Sequence, residues 1–172
     1  MLDSLMVFLA RDFFFVVLLL AAAFFVWWFY RRRSLPGVLR ELGYVAAGSL
    51  FIGAVSLLIA KVASQLIISP RPFTQPGSAP AMIAGSLDNG FPSDHTLLLA
   101  AVAAIVCLVN LRLSLIFWVL ALVVGLARVY VGVHHMVDIA GSLAIVAIAY
   151  GLFLLLLRLV QSRGALKGMP RR

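Results

Sequence analysis

The sequence has little charge, few acidic residues and almost no cysteine. Only 12% of its 172 residues are charged, where a soluble domain carries roughly 25%. Hydrophobic residues make up 64%. A chain this short cannot hide so much apolar surface from water, so lipid must be its solvent. The single cysteine, Cys107, excludes a disulfide framework within one chain. With no Cys/His cluster there is no metal-binding pattern either. Cys107 lies in an apolar run and reads as a small buried packing residue. Acidic residues number 6 against 14 Lys and Arg, a net charge of +8. In a soluble protein that excess would point to nucleic acid. Here the cations sit in short segments between apolar runs, the pattern of membrane topology, and no nucleic-acid partner is expected. A signal-peptide pattern is also missing: Asp3, Arg11 and Asp12 precede the first long apolar run and no clean small-residue cleavage site follows it. That run is read as a retained span. No internal repeat is evident.

What the sequence does have is apolar runs long enough for helices to cross a bilayer, about 20 residues each. Five are read: Phe13 to Tyr30, Gly43 to Ile68, Ser93 to Leu111, Leu113 to Val131 and Val137 to Leu159. Residues 1–12 read as an interfacial helix. The expected class is an all-α integral membrane protein, a bundle of about five to six transmembrane helices. The connections are uneven. Arg31 to Gly37 is a basic turn and Asn110-Leu111-Arg112 a tight one. The segment Ser69 to Phe91 is long and holds Pro70, Pro72, Pro76 and Pro80, four of the seven prolines. Proline and glycine exclude a helix there, and a long ordered loop in a compact protein is usually functional.

Cation bias gives an orientation. Arg31, Arg32, Arg33, Arg40, Arg112, Arg158, Arg163, Lys167, Arg171 and Arg172 fall on one side, and Arg11, Lys61, Arg71 and Arg128 on the other. The richer side is expected in the cytoplasm, with the proline-rich loop outward. Trp27, Trp28 and Tyr30 read as an interfacial aromatic belt, and Arg31 to Arg33 as a topology signal able to touch anionic lipid. Lys61 and Arg128 lie inside or at the edge of apolar spans, and Arg71 just beyond one. Ionisable residues at membrane depth are costly and mark cavities or partners.

Three segments gather on that outward side: Pro70-Arg71-Pro72-Phe73, Phe91-Pro92-Ser93-Asp94-His95, and Ala127 to Asp138. Arg71 and Arg128 can clamp one polyanion, because guanidinium forks match phosphate oxygens and stay charged. Ser93-Asp94-His95 opens a helix, whose free N–H groups and positive dipole end bind phosphate. His134 and Asp138 are four apart and share a face if that stretch is helical. A carboxylate on one imidazole nitrogen fixes the tautomer and frees the other nitrogen to attack. His95, on a separate segment, can protonate a leaving oxygen. Nucleophile, orienter, acid and anion clamp are present, and the chemistry needs no metal or cofactor.

These segments resemble the signature of the type 2 phosphatidic acid phosphatase superfamily: Arg-Pro, then Pro-Ser-Gly-His, then Arg with His six residues on and Asp four beyond. Arg71-Pro72, Pro92-Ser93-Asp94-His95, and Arg128, His134 and Asp138 supply the three parts in order, with Asp94 in place of glycine. The resemblance implies a single membrane-embedded phosphatase domain over 1–172. Residues 69–92 would form its outward active-site loop and 160–172 a basic cytoplasmic tail. It implies His134 as nucleophile, Asp138 as its orienting partner and His95 as general acid and later base. Arg71, Ser93 and Arg128 are the implied phosphate ligands, helped by the backbone N–H of Asp94 or His95. The family's lysine, seven residues before the first arginine, is replaced by Ser64, and Lys61 is the candidate to substitute for it. The family tends to six spans, against five plus an N-terminal segment here.

Asp94, with Phe91 before it, Thr96 after it and Phe73 following Arg71-Pro72, resembles the undecaprenyl-diphosphatase branch. That branch implies hydrolysis of a polyprenyl diphosphate to the monophosphate by way of a phosphohistidine. It also implies lipid-carrier recycling for the cell wall and a multi-pass bacterial-type inner-membrane protein with an outward site. The alternatives are a phosphatase of phosphatidylglycerophosphate, phosphatidic acid or another lipid monophosphate, a phosphotransferase, and a non-catalytic lipid-binding subunit. Blander roles are expected for three polar residues: His135 as an interfacial residue with the wrong spacing for catalysis, Asp94 as a helix cap, and Asp88 as a turn residue ahead of Asn89-Gly90.

Overall fold

A computed structural model describes residues 1–31 and 35–162. The expectations placed on Arg32, Arg33 and Ser34, and on the tail from Arg163 to Arg172, lie outside these described residues. Among them the chain is all α: α1 (Leu2–Arg11), α2 (Phe13–Tyr30), α3 (Leu35–Leu66), α4 (Asp94–Cys107), α5 (Leu111–Tyr130) and α6 (Met136–Ser162), with one 3₁₀ turn at Pro72–Thr74. Helices α2, α3, α5 and α6 are long and apolar enough to cross a membrane. The architecture is a multi-pass helical membrane bundle.

Two spans differ from expectation. Helix α3 starts at Leu35 rather than near Gly43, so Leu35, Pro36 and Gly37 belong to a helix and not to the basic turn. Proline is tolerated in a first turn, where its missing N–H would have had no intrahelical partner. Helix α4 is only 14 residues long, about 21 Å at the usual rise and short of the roughly 20 residues a span requires. It ends at Cys107 because the chain turns at once into α5, where the Asn110 side chain caps the helix by accepting a hydrogen bond from the Leu113 N–H at 3.0 Å. The tight turn therefore falls on residues 108–110, and Leu111 and Arg112 are already helical.

Helix α4 is nonetheless the hub. It packs against α5, α6, α3 and α2, and Leu99, Ala100, Ala103, Ala104 and Val106 are fully buried. Alanines at these positions let backbones approach closely, the way helices associate where lipid supplies no hydrophobic drive. One cluster joins α3, α4 and α6 around Ile52, Phe91, Val146 and Phe153, and a second joins α2, α4 and α5 around Val17, Phe117 and Val124. Helix α1 lies against the end of α5, with Ala10 packed on Ala127, Val131 and Val133. The Tyr130 hydroxyl donates to Asp3 at 2.9 Å and ties down the N-terminus.

At the opposite end of the bundle is a cavity of about 520 Å³ whose lining includes Trp28, Arg40, Glu41, Tyr44, Leu108 and Arg158. Cys107 is half-buried there and accepts a hydrogen bond from the Tyr150 hydroxyl at 3.2 Å. Trp27 is exposed and carries the Arg31 guanidinium over its ring at 5.1 Å.

Candidate active site

The ends of α3, α4 and α6 meet the last turn of α5 and the long connection between α3 and α4. Apart from the single 3₁₀ turn, that connection is non-helical, as its prolines require. Hydrogen bonds converging on Asn89 order it. Its side-chain oxygen accepts from the Ser69 N–H at 2.8 Å and the Phe91 N–H at 3.4 Å, and its amide donates to the Ser64 and Ile67 carbonyls, both at 2.8 Å. One side chain thus terminates α3 and fixes both ends of the loop. The Gly90 N–H donates to the Ser69 carbonyl at 2.9 Å. A Cβ at Gly90 would sit 3.0 Å from that carbonyl oxygen and 3.1 Å from the Asp138 carboxylate, so a side chain there would force the loop to give way and glycine suits the close approach.

His134 is the centre. It is 2% exposed and precedes α6 instead of lying on it. The expected shared helix face with Asp138 therefore does not form, because Gly132, at φ +80°, turns the chain out of α5. Asp138, in the first turn of α6, reaches back: its Oδ2 accepts from the His135 N–H at 2.8 Å and lies 3.3 Å from His134 Nδ1. The other face of the imidazole meets two guanidiniums, with Arg71 Nη1 at 3.5 Å and Arg128 Nη2 at 3.4 Å from Nε2. Guanidinium nitrogens only donate, so Nε2 presents its lone pair and the ring proton sits on Nδ1, donated to Asp138. Burial, then the charges of Arg128 and Arg71, push the His134 pKa down to about 4 against the opposing pull of Asp138. The imidazole is therefore neutral at neutral pH.

Both arginines are held by backbone carbonyls. Arg71 Nη1 donates to the Val133 carbonyl at 3.3 Å, and Arg128 Nη1 to the Ala10 carbonyl in the last turn of α1 at 3.1 Å. Arg128 is buried and its Nε has no hydrogen-bond partner among the described residues. A buried guanidinium N–H with no partner is costly and suits an anion. Ser93 is fully buried as the N-cap of α4. Its hydroxyl oxygen accepts from Thr96 Oγ1 at 3.2 Å, and its carbonyl accepts from Ser142 Oγ at 3.0 Å. Asp94 is an exposed first-turn residue and not the cap. It still favours the helix N-terminus through the dipole. His95, one residue on, is half-buried, packs against Phe14 with ring centroids 4.5 Å apart and planes tilted by 54°, and lies within electrostatic reach of Arg128 and His134.

The structure thus brings together Arg71, Ser93, His95, Arg128, His134 and Asp138. Lys61 is exposed on α3; its carbonyl accepts from the Ser64 hydroxyl at 2.9 Å, and its ammonium has no hydrogen bond or ion pair among the described residues. His135 is turned toward the loop, its Nε2 3.1 Å from both the Pro70 carbonyl and the Gln75 amide, so it stitches chain rather than facing the arginines. Besides Asn89, two residues play parts the sequence reading did not foresee. Ser69 is buried and its hydroxyl donates to Asp138 Oδ1 at 2.8 Å; its position just before Pro70-Arg71 was the available signal. Asp88 is more than a turn residue. Its Oδ1 pairs with Arg71 Nη2 at 2.8 Å and Nε at 3.2 Å, and hydrogen bonds from Ser86 and Arg71 hold its carboxyl below the usual range.

Residues 39–164 match the sequence model of the PAP2 superfamily. Among curated relatives, the chain is 30% identical over 99 residues to the bacitracin transport permease protein BcrC of Bacillus licheniformis, covering 58% of this chain and 48% of that one. It is 31% identical over 101 residues to the undecaprenyl-diphosphatase BcrC of Bacillus subtilis strain 168, covering 59% and 52%. It is 34% identical over 91 residues to the putative undecaprenyl-diphosphatase YbjG of Escherichia coli K12, covering 52% and 46%. The chain spans about half the length of the curated relatives it matches. No solved structure matches it.

Proposed function

This chain belongs to the PAP2 superfamily, and from that premise we propose that it hydrolyses a lipid diphosphate of the polyprenyl type to the monophosphate and inorganic phosphate. The observation that carries the reading is His134, neutral and buried, with Nδ1 on Asp138 and Nε2 facing two guanidiniums. A binding protein has no use for an oriented imidazole lone pair, whereas a phosphotransfer enzyme does. The names of the relatives support the polyprenyl diphosphate over a monophosphate.

In this scheme His134 Nε2 attacks the terminal phosphorus. A P–N bond forms, and the bond from that phosphorus to the bridging oxygen breaks. His95, which burial and the charge of Arg128 keep neutral in the resting protein, takes up a proton as the anionic substrate binds and gives it to the departing lipid monophosphate. Asp138 steadies the positive charge that builds on the imidazole, and Arg71, Arg128 and the N-terminus of α4 hold the equatorial oxygens. Water, deprotonated by His95, then breaks the P–N bond, and phosphate leaves with His134 neutral again. The scheme routes no step through a metal. The ten-to-four bias of Lys and Arg in the sequence supports an outward-facing site, and the bacterial relatives support a bacterial cell membrane as its place.

The test is release of phosphate by the purified protein from undecaprenyl diphosphate, phosphatidic acid and phosphatidylglycerophosphate, with and without chelator. The diphosphate is expected to be the fastest and the chelator to have no effect. Faster release from a monophosphate would overturn the substrate. Reversible loss with chelator would overturn the metal-free scheme, and no release from any of them would favour a non-catalytic lipid-binding subunit.

A further inference from the structure

The scheme leaves Asp88 unused, yet Asp88 grips one of the arginines that carry it. Arg71 is 6% exposed and Asp88 67%. The carboxylate oxygen Oδ1 takes both N–H groups along the Nε/Nη2 edge of Arg71, the edge whose parallel donors best match two oxygens of a phosphate. Ser86 Oγ donates to the same oxygen. The opposite nitrogen, Nη1, is the one that faces Val133 and His134.

Main-chain carbonyls suffice to hold the guanidinium. Arg71 Nε also donates to the Asp88 carbonyl at 3.3 Å, and Nη1 to the Val133 carbonyl at 3.3 Å. The Asp88 backbone is itself fixed by the adjacent Asn89. Rotating the Asp88 side chain away therefore leaves Arg71 aimed, with Nε still on the Asp88 carbonyl, and opens Nη2. An ion pair with one partner mostly in water is cheap to break.

We propose that the Asp88 carboxylate is a displaceable counter-anion of Arg71, yielding Nη2 to a phosphate oxygen on binding and retaking it as inorganic phosphate leaves. The proposal rests on the reading of Arg71 as a phosphate ligand. It makes Asp88 a residue that weakens product binding and so speeds release, and it sets a threshold that a weakly charged headgroup fails to cross.

The test measures binding of inorganic phosphate, and of orthovanadate as a second probe, to the purified full chain by calorimetry at constant ionic strength. Asp88→Asn keeps the shape and removes the charge, and is expected to bind both anions roughly two- to fivefold more tightly, the scale of an exposed ion pair. Asp88→Glu should bind like the wild type, and Asp88→Ser replaces Asp88→Asn if the latter does not fold. Equal or weaker binding by both uncharged variants overturns the proposal and makes Asp88 a positioning residue for Arg71. If neither the wild type nor any variant binds phosphate, Arg71 is not a phosphate ligand and the functional reading falls with it. If the wild type binds and the variants bind no tighter, only the present proposal falls.

Discussion

The two ends of this bundle both carry arginines, and they use them differently. At one end Arg71 and Arg128 are buried, aimed by carbonyls, and set on either side of one imidazole nitrogen. At the other, Arg40 and Arg158 are exposed at the rim of a cavity walled by aromatic and aliphatic side chains. Both ends carry cations among the described residues, so the presence of positive charge does not distinguish them. The difference is preorganisation. Buried guanidiniums aimed at one point act on an anion at little reorganisation cost, whereas the charge of exposed ones is screened by water and salt.

That contrast can be broken from the site end first. His134→Ala should reduce phosphate release by about a thousandfold or more while thermal unfolding shows an intact bundle; near-normal turnover would mean that the arginines surround the wrong group. Arg71→Lys and Arg128→Lys keep the charge and lose the fork, and kcat/KM should drop by roughly a hundredfold in each. If lysine serves as well, charge and not geometry separates the two ends. Acidity tests the same geometry through His134. Its pKa is pushed to about 4, so the proposed nucleophile stays neutral above that value, and activity should fall as pH drops through about 4, near tenfold per unit, instead of through the ordinary imidazole value of about 6.5. The sign for stability is the same. Between about 6.5 and about 4 the unfolded chain takes up a proton that the folded one refuses, so stability declines as pH falls across that window. Ser69→Ala leaves one Asp138 oxygen without its donor, and a loss of about 1–3 kcal/mol in stability, with a several-fold drop in kcat, is expected from calorimetry and kinetics. Arg158→Ala at the cavity end should change turnover by less than about twofold; a larger effect would show that the ends communicate.

Much of the site was legible because its chemistry is carried by residue types that a membrane span otherwise avoids. Arg71, Arg128, His134 and Asp138 stood out against apolar surroundings, and their spacing selected His134 over the neighbouring His135. The reason behind that spacing was not legible. Four residues suggested a helical face, whereas Gly132 turns the chain and Asp138 reaches back from the start of α6 to a histidine outside it. Ser69, Asp88 and Asn89 stayed hidden for a different reason. Each acts across the loop on a partner fixed only by the fold: Ser69 on a carboxylate 69 positions away, Asp88 on an arginine 17 away. The span limits erred where local chemistry outweighed hydropathy, at Pro36, which starts a helix, and at Asn110, which ends the turn after α4.

The brevity of α4 has a consequence for the proposed anion site. Even standing upright, a helix of about 21 Å leaves about 9 Å of the usual hydrocarbon thickness unspanned. Non-helical chain takes over at both ends, in the loop before Ser93 and in the turn at residues 108–110. The N–H groups of the first turn of α4, which the proposed scheme offers to phosphate, therefore stand at the end of a helix too short to cross on its own, and the four longer apolar helices packed on it carry the span.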